Sequence, residues 1–106
     1  MRITVSHKKT KEEAIRSVDE AFDHLIKSNL PSPVKVTDLN RQWNGSTMDF
    51  SLQAKMGFLG APIKGSIWVT DKDVTIDADI PGILGALLPE GKLRTGLESK
   101  IKGLLT

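Results

Sequence analysis

Between residues 2 and 6 the chain alternates, with Ile3 and Val5 set between Arg2, Thr4 and Ser6, the period-two pattern of a half-buried strand. After His7 the period changes. Ala14, Ile15, Val18, Ala21, Phe22, Leu25 and Ile26 follow the spacing of one helical stripe. Thr10 and Glu13 are placed as a capping box requires, and Pro31 and Pro33 cannot continue a hydrogen-bond ladder. Together these predict a helix over about residues 11–28.

Val34 to Trp43 reads as a strand, and Asn44-Gly45 signals a type I′ hairpin turn with positive φ at both centres. That turn sets Phe50 opposite Leu39 and Met48 opposite Arg41. It leaves Val34 and Val36 on the wrong parity unless a bulge falls near Thr37 or Asp38. Thr47 to Met56 alternates cleanly, with Met48, Phe50, Leu52, Ala54 and Met56 on the apolar face. Ile63, Gly65, Ile67 and Val69 form the inward side of a further strand. After a turn at Asp71-Lys72-Asp73, Val74, Ile76, Ala78 and Ile80 form that of the last. Leu93, Leu97, Ile101, Leu104 and Leu105 then recur as the stripe of a terminal helix from about residue 90. The order is β-α-β-β-β-β-α. This is an α+β fold, an antiparallel sheet of about five strands with both helices packed on one face, forming a single domain over residues 1–106.

Two connections are more apolar than loops require: residues 57–62, with Phe58 and Leu59, and residues 81–89, with Ile83, Leu84, Leu87 and Leu88. In a meander the third and fifth strands run the same way, so both segments emerge at one end of the sheet. The six side chains either cap the core there or form an exposed contact surface, since contiguous apolar patches mark partner sites. Trp68 stands on the outward, otherwise polar face, where long neighbours cover a tryptophan or a partner does.

Composition narrows the chemistry. The chain has no cysteine, which excludes disulfides, thiolate metal sites and a thiol nucleophile. The net charge of +2 is too small to call for a polyanion, and the excess around Lys92, Arg94, Lys100 and Lys102 fits a solvated helix face, so no nucleic-acid partner is expected. There is no apolar run of transmembrane length and no apolar stretch of a signal peptide at the start, which makes a cytoplasmic location the expectation. His7 ends the first strand, where an imidazole commonly bonds backbone. His24 lies away from the apolar stripe, one turn after Glu20. Asp71, Asp73, Asp77 and Asp79 read as turn and wet strand face rather than a cation site, and Ser51 and Ser66 have no adjacent base. No catalytic residue, cofactor or metal ligand is assigned.

The run Ile3-Thr4-Val5-Ser6-His7, the Glu13-Ala14 helix, the Trp43-Asn44-Gly45 hairpin before an alternating Phe50 strand, Gly65-Ser66-Ile67-Trp68-Val69 and the Leu-rich end together resemble the polyhydroxyalkanoic acid system proteins. These are small bacterial proteins associated with polyester granule biosynthesis or utilisation. His7 matches the histidine that ends their first strand. The resemblance implies a link to polyester granules, and with the apolar segments it gives the first reading: a non-enzymatic accessory protein, granule-associated, that meets a polyester granule surface or a granule protein through segments 57–62 and 81–89. The alternative is a small carrier or enzyme of the helix-on-curved-sheet type, holding an apolar ligand in a pocket lined by Met48, Met56 and Leu97. Homo-oligomerisation through Trp68 or the terminal helix is compatible with either.

Overall fold

The computed structural model describes residues 1–29, 34–79 and 90–105. They form β1 (Arg2–Ser6), α1 (Lys11–Asn29), β2 (Lys35–Asn44), β3 (Thr47–Met56), β4 (Leu59–Val69), β5 (Asp73–Asp79) and α2 (Glu90–Leu105). The strands make one antiparallel sheet in the order β1-β5-β4-β3-β2, so β2 to β5 are the expected meander and β1 joins its β5 edge. Pro31, Pro33, Ile80 and the whole 81–89 segment lie outside the described residues, as does the Leu93 side chain.

Each element follows from its local chemistry. Thr10 Oγ1 accepts the Glu13 amide at 3.1 Å and donates to Glu13 Oε1 at 3.0 Å, which satisfies one of the open amide donors at the start of α1. Ala14, Val18, Phe22 and Leu25 then bury one stripe, and Leu97, Ile101 and Leu105 bury the corresponding stripe of α2. These stripes meet the inward residues of the sheet in one core: Ile3 and Val5 of β1, the even residues Met48 to Ala54 of β3, Ala61, Ile63, Ile67 and Val69 of β4, and Val74, Ile76 and Ala78 of β5.

Gly65 sets the depth of that core. Phe50 lies directly across from it on β3, and the Phe50 ring packs against Phe22 of α1 at 5.2 Å between centroids. A Cβ at Gly65 would stand 2.6 Å from the Phe50 ring and 2.5 Å from the Asp77 carbonyl oxygen. The helix can approach because the phenyl ring rests where a side chain is missing.

Two local expectations are corrected. The first hairpin turns on Gly45-Ser46 rather than Asn44-Gly45, with Asn44 paired to Thr47, so Phe50 faces Arg41 and Met48 faces Trp43. Gly45 has φ of +65° and Ser46 is not in the left-handed region, so only the first centre needs positive φ, the type II′ requirement that glycine meets. Moving the turn by one residue slides β2 by two against β3, and every side chain stays on its expected face. The predicted bulge is present: the register shifts between Thr37 and Asn40, Asp38 takes φ of 54°, and Val36 returns to the inner face opposite Ala54. The second correction concerns residues 57–62, which are not a loop. Met56 pairs with Leu59 across a two-residue turn, and Leu59 to Pro62 belong to β4. The hydrogen-bonded pairs of this ladder fall on odd residues of β4, as Val69 N–H to the Ser46 carbonyl at 3.0 Å shows, so the amide that Pro62 lacks would have pointed away from β3.

Candidate functional site at the hairpin tip

The β3–β4 hairpin ends in Met56-Gly57-Phe58-Leu59. Gly57, with φ of +63°, occupies the first centre of the turn and Phe58 the second. β2 begins at Lys35, opposite Lys55, so the turn residues project beyond the paired end of that neighbouring strand. The Phe58 side chain is accordingly 99% exposed, and Leu59 beside it is 39% exposed. Large apolar side chains elsewhere in the described residues are buried or half-buried. Leaving a phenyl ring in water forgoes about 1.5–3 kcal/mol that burial would contribute, so its position is informative.

Of the other predicted contact residues, Ile83, Leu84, Leu87 and Leu88 lie outside the described residues. Trp68 does not join Phe58. It stands near the opposite end of β4, about 30 Å away at the usual rise of a strand. It is on the outward face as expected, half-buried, with the Arg2 guanidinium 5.6 Å from the ring centroid. Arg2 is held over the indole by Asp77, at 2.9 Å, so Asp77 acts as an ion-pair partner on the wet face. Around it Thr4 bonds Thr75 at 3.0 Å and Ser66 Oγ donates to Asp49 Oδ1 at 2.6 Å.

His7 is at the Trp68 end as well, and is the one buried polar side chain among the described residues. The Lys9 amide donates to its Nδ1 at 3.1 Å, which makes Nδ1 an acceptor and leaves Nε2–H to donate to the Thr70 carbonyl at 2.8 Å. Both ring nitrogens are used in tying the strand-to-helix junction to the β4–β5 turn. That turn is closed in parallel by Thr70 Oγ1, which accepts the Lys72 and Asp73 amides and donates to Asp73 Oδ1. His24 is exposed on α1.

A contact that sequence reasoning missed joins α1 to the β2 edge. Trp43 Nε1 donates to Asp19 Oδ1 at 2.9 Å. Arg41 reaches the Asp19 carbonyl at 3.1 Å and the Asp23 carboxylate at 3.3 Å, lying over the Phe22 ring at 5.5 Å. The signal was present, since Asp19 and Asp23 stand one turn apart on the helix, but only the inward placement of Arg41 and Trp43 shows what they meet.

Clefts occur at two places among the described residues that bear on the ligand-pocket reading. One of about 590 Å³ is lined by Ser6, His7, Lys8, Lys9 and Leu105. Another of about 210 Å³ lies between the helices, against Ala21, His24, Leu25, Lys100, Gly103 and Leu104. Neither involves Met48, Met56 or Leu97, the expected lining of an apolar-ligand pocket, and Met48 is fully buried in the core. No group of three or more His, Asp or Glu side chains suited to a metal ion occurs among the described residues, and no described helix is long and apolar enough to cross a membrane.

A family model described as "Putative polyhydroxyalkanoic acid system protein" matches residues 1–105. No curated protein and no solved structure matches the chain.

Proposed function

The chain belongs to the polyhydroxyalkanoic acid system family, and from that premise we propose that it is a non-enzymatic accessory protein of polyester granule biosynthesis or utilisation, docking on the hydrophobic polyester through the β3–β4 tip. The observation that carries this reading is the fully exposed Phe58 ring at the end of the hairpin. A granule presents a continuous apolar surface, which a protruding side chain meets without needing a shaped pocket.

The energetics fit reversible docking. Burying one phenyl ring contributes roughly 1.5–3 kcal/mol, less than the several kcal/mol that immobilising a protein costs, so Leu59 and further apolar contacts are needed for stable residence. In the proposed docking Ile83, Leu84, Leu87 and Leu88 supply those further contacts. In this reading the protein is cytoplasmic and works at the granule.

Sedimentation with polyester particles tests it. Phe58→Asp should weaken binding about tenfold or more, the loss of one buried ring, without changing the unfolding midpoint, because Phe58 is free of the core. Leu59→Asp should weaken it less. Leu84→Asp and Leu87→Asp measure the share of the second segment. Equal sedimentation of the parent and Phe58→Asp would end the tip model.

A further inference from the structure

The residues beside the tip are charged with one sign. Lys35 of β2 and Lys55 of β3 are direct cross-strand partners on the outer face, and both are exposed. Directly opposed residues hold their Cβ atoms about 5 Å apart, and like charges in that position are destabilising. Among the described residues no ion pair or hydrogen bond engages Lys35 or Lys55, and Asp38, three residues along β2, makes no pair with Lys35. At the other end of the same face, Arg2 is paired to Asp77, with Asp49 and Asp73 nearby.

The distances relate the two lysines to Phe58. Lys55 is three residues before it, about 10 Å along the strand, and Lys35 is level with Lys55 one strand over. The Lys55 stem lies beside its cross-strand partner Gly60 of β4, where a Cβ built on Gly60 would stand 3.5 Å from Lys55 Cγ. An apolar group lodged at the boundary of headgroups and acyl chains sits about 5–10 Å deep. Phe58 at that depth brings both ammonium groups to headgroup level, within the Debye length over which they are attracted.

We propose that the surface the tip meets is an anionic lipid layer, with Phe58 entering its apolar side and Lys35 and Lys55 bound to the negatively charged headgroups. This rests on the docking reading above and adds the chemistry of the surface: an apolar granule surface that also carries anionic lipid. Negative charge placed between or before Lys35 and Lys55 offsets their mutual repulsion.

The test compares flotation with vesicles of phosphatidylcholine alone and of an equimolar phosphatidylcholine–phosphatidylglycerol mixture. The parent should prefer the mixture, and the preference should fall as salt is raised. Lys35→Gln and Lys55→Gln should each weaken binding to the mixture about fivefold and leave binding to the neutral vesicles unchanged. Lys64→Gln is the control. Lys64 is exposed on the same face but about 17 Å behind Leu59, opposite Asp79, and its loss should change binding less than twofold. Equal binding of the parent to both vesicles, or an equal effect of all three substitutions, would overturn the anionic-lipid assignment while leaving apolar docking intact. Phe58→Asp binding the mixture as the parent does would instead overturn the docking reading itself.

Discussion

Gly65 is the position where one missing atom group sets the geometry of the core. Its Cβ would meet backbone at 2.5 Å, the Asp77 carbonyl oxygen, and backbone cannot yield as a flexible side chain does. Gly65→Ala should therefore destabilise the fold by about 1–3 kcal/mol, read as a lower denaturant midpoint. An unchanged midpoint would show that Phe50 does not need the space. His7 is the other residue with a defined duty. Removing the imidazole strips partners from the Lys9 amide and the Thr70 carbonyl, so His7→Ala should cost roughly 1–3 kcal/mol. Gln or Asn can replace one of these bonds each and should recover part of that stability. A histidine ending a strand suggested a backbone bond from sequence. Which carbonyl it reached depended on the β4–β5 turn folding back across sixty-three positions, and no local pattern encodes that.

At the scale of elements, face parity was legible and strand ends were not. Alternation assigned the inward residues of β1, β3, β4 and β5 because a buried face demands apolar side chains at every second position. The β2–β3 turn was misplaced because Asn-Gly and Gly-Ser each offer a plausible two-residue turn, and a glycine serves either centre. The β3–β4 turn was mistaken for a loop because Pro62 and two glycines suggest irregular chain, whereas Pro62 sits where no amide is needed and Gly57-Phe58 suffices to reverse direction. The bulge was recognised from the parity conflict of Val34 and Val36. Its centre, Asp38, holds φ of 54°, a conformation that costs an L-residue about 1 kcal/mol or more. Asp38→Gly should leave stability unchanged or raise it by up to about 1 kcal/mol, while Asp38→Val should lower it, with denaturant midpoints deciding. A loss of stability in Asp38→Gly would mean the carboxylate has a role that the turn geometry does not express. The same bulge interrupts the β2 edge and so discourages pairing with another chain.

On the scale of the whole molecule, the extents of 43 × 25 × 19 Å describe an elongated body. The predicted site residues divide between its ends: Phe58 and Leu59 at one, His7 and Trp68 at the other. Sequence reasoning grouped Trp68 with the contact residues because it stands on the outward, otherwise polar face, where the Arg2 guanidinium lies over the indole. The Lys35–Lys55 pair went unseen because it exists only through the register beyond the bulge. In the proposed docking the hairpin tip is the working end. The chain contains no cysteine, so a single introduced thiol carries one label without competition. A polarity-sensitive dye on Leu59→Cys, which keeps Phe58 in place, should shift to the blue when polyester particles are added, and the same dye on Asn44→Cys at the far turn should not. No shift at residue 59, or equal shifts at both positions, would contradict docking through the tip.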